Sequence, residues 1–350
     1  MFSLHLINFY GVPLSSLNTR KSTAMASTPK IKYFFSGQNQ RIALIGNGFD
    51  LAHGYKTKYI SFMRDVIDSN IADNSIYSKI LKLPKSYNGF EQVVELCLVA
   101  TNNFQHRIHH VIFNKLFIDM LGDTSLNKWC NIEQFYFDKL MQCKSTIQAI
   151  NLNLEFEEIK KALEFYLSKK REEINSIEDL NYLFKGRKIE HVINFNYTNT
   201  HEQYLNNQHV LNIHGELQNI DNPIIFGYSP SRKDYQKLLE KNHPAYVENV
   251  KEFEYNNIGQ QDELDNIMLR YNDKYDLFIM GHSCDLCDGE VLNYIFTSDS
   301  IENIYIFYHN KLDYKIKLQN ISRIMKSKGS SKKVVSFPKS YPMPQFVELN

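Results

Sequence analysis

The stretch that decides the fold is Arg41–Gly54, RIALIGNGFDLAHG. Four apolar residues, Ile42–Ile45, run directly into a turn that contains Gly46 and Gly48, and an acid and a histidine follow. A short apolar run that ends in glycine is typical of a buried strand of a parallel sheet. We therefore predict a strand over residues 41–46, with a helix soon after the turn.

Further strand-like runs follow later in the chain, separated by segments with helical spacing. The runs span residues 191–198, 209–215, 222–229, 275–283 and 303–310. Strands that alternate with helices indicate a parallel sheet with helices on both faces. The fold class is therefore α/β, and the segment KKVVSF (332–337) could add a strand at the sheet edge.

The stretch between the first and second predicted strands is too long for one crossover helix. Residues 71–185 contain two long segments with apolar residues three and four positions apart, which is typical of amphipathic helices. We predict a helical insertion that covers the carboxyl edge of the sheet. The α/β domain then spans residues 41–325, and residues 326–350 form a basic linker and tail.

The first 40 residues differ from the rest in composition. They contain no Asp or Glu, four basic residues and several Ser and Thr. That composition is compatible with a transit peptide. The simpler interpretation, which we prefer, is an over-extended or disordered start, with Met25 as an alternative initiator.

Composition argues against several classes of protein. The 350 residues include 40 Lys and Arg against 39 Asp and Glu, a balance that does not favour a stable nucleic-acid partner or a membrane surface. No apolar run reaches the roughly 18 residues that a membrane span needs. The five cysteines, an odd number in a long chain, do not fit a disulfide framework and indicate a reduced, cytoplasmic protein.

Polar residues and glycines recur where the predicted strands end, which is where an open α/β sheet binds its ligands. The sets are Gly46–Asp50, Asn196–Thr198, His214 with Gly215, Gly227–Ser229, and Gly281–Ser283 followed by Asp285 and Asp288. Because these ends meet at one edge of the sheet, we expect the sets to surround one hollow of nucleotide size.

No single set identifies a ligand. The first turn lacks the third glycine of the dinucleotide fingerprint, since Leu51 stands there, and an ordinary strand-to-helix turn would explain it as well. His282, Cys284 and Cys287 are chemically suited to zinc, but no fourth Cys or His follows at the usual spacing. We expect no metal at this position.

Taken together, the motifs resemble those of the AbiH family of bacteriophage abortive-infection proteins. The resemblance covers about residues 41–310 and rests on IGNGFDLAHGYKTKYISF (45–62), WCNIE (129–133), VINFNYTNT (192–200), NIHGE (212–216), FGYS (226–229) and FIMGHSCDLCDGEVL (278–292). It implies a protein of phage defence that responds to a phage-derived trigger.

The same order of motifs is similar to a distant sirtuin-like plan, in which a Gly-rich loop, an Asn–Tyr segment, a His–Gly pair and a late Gly-x-Ser surround NAD. This likeness implies a sirtuin-like, Rossmann-type sheet, with Asn196 as the catalytic asparagine and His214 as the base. Strand-end position and likeness together predict the NAD-binding residues Gly46, Asn47, Gly48, Phe49, Asp50, Tyr197, Gly281, His282, Ser283 and Asp288. The sirtuin zinc module, which has two paired-cysteine elements, is absent from the sequence, and this argues against protein deacetylation.

The implied chemistry needs few groups. Nicotinamide leaves NAD⁺ as a neutral molecule through an oxocarbenium-like state, so no strong general acid is required. Asn196 would orient the sugar and a water, and His214, with an ordinary pKa of about 6.5, would accept the proton. We expect hydrolysis of NAD⁺ to nicotinamide and ADP-ribose.

Two alternatives use the same region. A nucleotide-binding sensor or toxin would hold the ligand without cleaving NAD. A metal-dependent nuclease would hold Mg²⁺ or Mn²⁺ with Asp50, His53, Asp285 and Asp288. An oligomer is compatible with either reading.

Overall fold

The computed structural model describes residues 39–70, 76–82, 89–99, 112–123, 128–169, 176–186, 189–269, 274–326 and 333–346. Its strands are β1 (Gln40–Ile45), β2 (Leu81–Lys82), β3 (Ile112–Phe113), β4 (Ile189–Asn194), β5 (His209–Asn212), β6 (Tyr275–Met280), β7 (Ile301–Tyr308) and β8 (Tyr341–Pro342). Nearly all of the predicted leader, residues 1–40, lies outside the described residues, as does most of the basic segment 326–333.

Long and short helices connect the strands. They are α1 (Asn47–Ala52), α2 (Tyr59–Asn70), α3 (Phe90–Val99), α4 (Lys115–Gly122), α5 (Trp129–Gln142), α6 (Thr146–Lys169), α7 (Glu178–Gly186), α8 (Arg232–Glu240), α9 (Lys251–Asn257), α10 (Gln260–Met268), α11 (Gly289–Thr297) and α12 (Lys311–Met325).

Six strands form one parallel sheet in the order β5-β4-β1-β6-β7-β8. Counted by their sequence in the chain, this is the order 3-2-1-4-5-6 of doubly wound α/β folds, which reverses between β1 and β6. The last residue of β1, Ile45, pairs with Asn194 of β4 and with Met280 of β6. The predicted α/β class with a parallel sheet is confirmed, and three strands end level with one another at the point of reversal.

Helices cover both faces of the sheet. On one face, Ile42, Leu44 and Ile279 pack in a single apolar cluster with α9, α10, α11 and α12. The other face carries α1 and α7, whose Phe49 and Phe184 rings lie 6.3 Å apart. All six residues of β6 are buried, as expected of a central strand with cover on both sides.

The predicted helical insertion lies between β1 and β4 and has its own core. Helices α2 to α6 share one apolar cluster, in which Tyr136 of α5 stacks on Phe156 of α6 with 4.0 Å between ring centroids. The short antiparallel pair β2–β3 belongs to this segment. The cluster also takes in Phe226 and Tyr228, which follow β5, so the insertion is packed onto the sheet domain.

Two details of the predicted sheet are wrong. Residues 222–229 form no strand, and their one strand-type contact is an isolated bridge between Tyr228 and Val250. Ile225 is buried in the sheet cluster and Phe226 in the insertion cluster, so this run is apolar because it separates two cores. At the other edge, Val334 makes only a bridge to Ile304, and the edge strand is β8.

Candidate functional site

The turn after β1 packs tightly on the loop after β6. The amide of Gly46 donates to the carbonyl of Met280 at 3.0 Å, and that of Gly48 donates to the carbonyl of Gly281 at 2.8 Å. A Cβ atom at Gly48 would lie 2.7 Å from the Gly281 oxygen, and one at Gly46 would lie 2.6 Å from the Cα of His282. These glycines permit two backbone segments to touch where the strand order reverses. The backbone N–H groups of Gly46 and Gly48 both donate to carbonyls of the protein itself.

Asp50 and Asn196 form a buried pair beside this turn. The Asn196 amide nitrogen donates to Asp50 Oδ1 at 3.2 Å and to the Gly46 carbonyl at 3.1 Å, and Thr198 Oγ1 donates to Asp50 Oδ2 at 2.6 Å. Burial raises the pKa of Asp50 to about 6, although hydrogen bonds from Thr198, Thr200 and Asn196 act in the opposite direction. In the described part of the chain, no Lys, Arg or His forms an ion pair with Asp50.

Asn194, at the end of β4, holds the Asn196 turn in place. Its side-chain oxygen accepts from the backbone N–H of Asn196 at 3.0 Å, and its side-chain nitrogen donates to the Thr198 carbonyl at 3.2 Å. The segment FNYT is therefore a turn built around a buried asparagine that precedes it.

A second network, which is charged, lies near Phe195, whose ring is close to the rings of His214 and His282. Lys251 of α9 places its ammonium 2.8 Å from Glu133 Oε1 of α5 and 2.7 Å from Asp288 Oδ1, just before α11. The three side chains are 1%, 6% and 8% exposed, so the ion pairs are shielded from water. Burial lowers the pKa of Lys251, but the two carboxylates outweigh burial and raise it, so the lysine stays charged.

Two histidines complete this network by contacting Asp288. His214 Nε2 lies 3.1 Å from Asp288 Oδ1, and His282 Nε2 lies 3.4 Å from Asp288 Oδ2. His282 Nδ1 accepts from the Cys284 amide at 3.0 Å, so its proton is on Nε2 and points to the carboxylate. His214 Nδ1 faces the Phe195 carbonyl at 3.1 Å, which accepts only, so this nitrogen carries a proton.

The structure brings together most of the residues predicted for the site. Asn196 lies in the segment after β4. His214 contacts the same segment, since its Nδ1 binds the carbonyl of Phe195, the residue before Asn196. The Phe195 ring lies 5.0 Å from the ring of His214 and 4.5 Å from that of His282. Tyr197 is also close, with its ring 6.2 Å from His214.

Other predicted residues lie at this edge with their side chains engaged elsewhere. The Asn47 amide exchanges hydrogen bonds with Thr57, at 3.3 Å to its carbonyl and 2.5 Å from its hydroxyl. The Phe49 ring is fully buried against Phe184. Ser283 is half-buried, and its carbonyl accepts from Asn320.

Helix α5 of the insertion closes the edge over these groups. The Trp129 indole donates to the Thr57 carbonyl at 2.8 Å, Cys130 donates to Asp285 at 3.3 Å, and Glu133 binds Lys251. Asn196 and His214 are only 7% and 6% exposed. Access of a ligand to either side chain would require neighbouring groups to move.

The four residues of the nuclease alternative have separate partners. His53 contacts the Phe49 carbonyl and the Tyr204 hydroxyl, both at 2.6 Å, whereas Asp285 binds Lys128 and Asn320. Among the residues that the structure describes, no three His, Cys, Asp or Glu side chains are grouped so that they could hold a metal ion.

Sequence reasoning missed Lys251, Glu133 and Tyr255. Glu133 belongs to the WCNIE motif, whose pattern alone assigns no role to its acid. Lys251 and Tyr255 lie in the polar segment NVKEFEY, where nothing distinguishes one lysine from the 40 basic residues of the chain. Only the fold shows that this lysine is buried.

A family of known proteins matches this chain. The model of the family described as bacteriophage abortive infection AbiH matches residues 42–310. No curated protein and no solved structure matches significantly. In the described ranges, no helix is both long and apolar enough to cross a membrane. The family match covers more than half of the chain, and the chain therefore belongs to the AbiH family of bacteriophage abortive-infection proteins.

Proposed function

We propose that this AbiH protein acts in phage defence by hydrolysing NAD⁺ to nicotinamide and ADP-ribose. One observation supports the proposal above all: Asn196 and His214 lie at the carboxyl edge of a doubly wound sheet, and a single residue, Phe195, links them. Each has a buried carboxylate beside it, Asp50 for Asn196 and Asp288 for His214.

Asn196 is suited to orienting a sugar hydroxyl or a water. Its amide nitrogen is fixed by Asp50 and by the Gly46 carbonyl, so the amide plane cannot rotate. No described residue donates to its side-chain oxygen, which can accept from a ligand. Orientation of this kind can contribute several kcal/mol, about 7–11 in the best intramolecular cases.

His214 is suited to accepting the proton of the attacking water. Because Nδ1 carries a proton toward Phe195, Nε2 is the basic nitrogen. The Tyr255 hydroxyl lies 3.0 Å from Nε2 and can donate a hydrogen bond to it. The imidazolium that results would lie against Asp288 Oδ1.

In this proposal the insertion regulates access of NAD⁺ to the carboxyl edge of the sheet. Displacement of α5 would break the contacts of Trp129, Cys130 and Glu133 and admit NAD⁺. We assign that displacement to the phage-derived trigger.

The test is to incubate purified protein with NAD⁺, with and without lysate of phage-infected cells, and to separate nicotinamide and ADP-ribose chromatographically. Asn196→Ala and His214→Ala should each abolish release. The matched controls Asn206→Ala and His209→Ala change exposed residues near the amino end of β5 and should retain it. Equal release by wild type and Asn196→Ala would contradict the proposal, and stabilisation by NAD⁺ without release would assign binding only.

A further inference from the structure

We infer that Asp288 positions His214 and stabilises its protonated form, and that it does not itself bind the nucleotide. This role rests on the NAD⁺ cleavage proposed above. It makes Asp288 a positioning residue, which acts on the reaction through the imidazole.

Both oxygens of Asp288 already have partners. Oδ1 lies 2.7 Å from Lys251 Nζ and 3.1 Å from His214 Nε2. Oδ2 lies 3.4 Å from His282 Nε2 and 3.7 Å from Cys287 Sγ. A ribose hydroxyl could bind this carboxylate only by displacing one of these groups from a side chain that is 8% exposed.

The charge on Asp288 is secured by its neighbours. Burial alone would raise its pKa, but the Lys251 ammonium and the two histidines outweigh burial and hold the pKa of Asp288 well below its usual range. Glu133, the other partner of Lys251, has its pKa raised by burial to about 7. Asp288 is therefore the carboxylate that stays ionised at neutral pH.

The two partners of His214 Nε2 act in opposite directions. The Asp288 carboxylate favours the imidazolium, whereas the Tyr255 hydroxyl, 3.0 Å away, can donate only to the neutral ring. Burial and the Lys251 ammonium lower the pKa of His214, and His282 adds to this, while Asp288 raises it. The Tyr197 ring, 6.2 Å from the imidazole, completes its surroundings.

The proton balance of the reaction fits this arrangement. Water and NAD⁺ give nicotinamide, ADP-ribose and one proton. The C–N bond to nicotinamide breaks with its electron pair leaving on nicotinamide, the water oxygen bonds to the ribose carbon, and the proton of that water passes to His214 Nε2. The imidazolium and Asp288 then form a hydrogen-bonded ion pair within the existing geometry.

The test is a titration of the full chain, labelled with ¹⁵N in its histidine rings, followed by NMR. His214→Gln assigns the resonance of His214. In Asp288→Asn the midpoint of His214 should fall by about one pH unit or more, a tenfold loss of proton affinity, and in Tyr255→Phe it should rise. Asp262→Asn, which changes an exposed acid of α10, should leave the midpoint unchanged.

The His214 midpoint should shift in opposite directions in Asp288→Asn and Tyr255→Phe. Opposite shifts indicate a positioning role, because general damage to the fold would not lower the midpoint in one variant and raise it in the other. If Asp288→Asn does not fold, the rise in Tyr255→Phe alone decides whether Nε2 is the titrating atom. An unchanged midpoint in Asp288→Asn, or a fall in Tyr255→Phe, would overturn the inference. In the cleavage assay, the acid limb of the kcat profile should shift down with Asp288→Asn while KM for NAD⁺ stays constant.

The two proposals fail in different ways. If no form of the protein releases nicotinamide, the proposed function is lost, and the titration still reports whether Asp288 sets the protonation of His214. If wild type cleaves NAD⁺ but Asp288→Asn keeps the wild-type pH profile, the positioning role alone is lost.

Discussion

At the scale of single residues, Asp50 is a buried carboxyl group that forms no ion pair with any Lys, Arg or His that the structure describes. Its hydrogen bonds come from neutral amide and hydroxyl groups, which compensate only part of the cost of removing a charge from water. Natural proteins keep such groups chiefly at functional sites, where a carboxyl that titrates near neutral pH is useful. Ionised Asp50, which lies beside Asn196, therefore lowers the free energy of unfolding.

That cost is measurable through its pH dependence. The folded-state pKa of about 6 lies above the ordinary value of 3.8, so between these pH values the folded protein binds more protons than the unfolded chain. The contribution of Asp50 to the free energy of unfolding should fall by about 2 kcal/mol as pH rises from 4 to 7. Asp50→Asn should lack this component, and urea denaturation of both proteins at several pH values measures the difference. Parallel curves for the two proteins would contradict the assignment.

Gly281 is a second residue whose identity has a structural reason. Its φ is +77°, and a Cβ atom there would lie 2.1 Å from the amide nitrogen of Phe49. Gly259 has a φ of +76° with nothing within 4 Å of an added Cβ, and it is the matched control.

We expect Gly259→Ala to destabilise the protein by about 1 kcal/mol, the strain of the left-handed backbone. Gly281→Ala should lose about 2 kcal/mol more, since the loops after β1 and β6 must separate. Urea denaturation gives both values. Equal losses would mean that the two loops do not touch as described.

At the scale of secondary structure, Lys251 joins three elements. It connects α5 of the insertion, through Glu133, to the loop before α11, through Asp288, while it belongs itself to α9. A buried ion network of this kind adds little net stability over an apolar core, but it is costly to break.

Lys251→Met should destabilise the protein by about 3–5 kcal/mol at pH 8, because two buried carboxylates lose their cation. The loss should be smaller at pH 6, where Glu133, with a pKa of about 7 already in the wild type, takes up a proton. Adding Glu133→Gln to Lys251→Met should recover part of the stability at pH 8. A loss that is the same at both pH values, with no recovery in the double variant, would show that the network carries no such charge coupling.

The elements also show what sequence can and cannot predict. The strands β1, β4, β5, β6 and β7 follow from apolar runs that end at polar residues, a local pattern. The run at residues 222–229 has the same local pattern but lies between two cores, and only tertiary packing distinguishes the cases. Tyr341–Pro342 is too short to give any pattern, and it pairs because β7 offers a free edge.

The site shows the same division between local and long-range information. Asn196, His214 and His282 could be selected because each follows a strand, and parallel strands bring their ends together. Lys251 contacts Asp288 from a helix 37 positions earlier in the chain, and Glu133 contacts Lys251 from the insertion. Nothing local marks residues that meet only through the packing of an insertion.

At the scale of the whole molecule, the chain is a doubly wound sheet whose carboxyl edge is capped by a helical insertion. Trp129, Cys130 and Glu133 of the cap make polar contacts to Thr57, Asp285 and Lys251, and apolar residues of the cap pack against Phe226 and Tyr228 of the sheet domain. The residues proposed to act on NAD⁺ are buried. In a protein of abortive infection, a cap over the site would keep the uninfected cell safe from its own defence.

The most direct measurement of the central claim is therefore made during infection. Intracellular NAD⁺ is followed in bacteria that carry the wild-type chain, Asn196→Ala or the control Asn206→Ala, with a phage against which the wild type protects. We predict that NAD⁺ falls steeply before lysis with wild type and Asn206→Ala, and that both protection and the fall are lost with Asn196→Ala. Protection by the wild type with a constant NAD⁺ level would contradict the account.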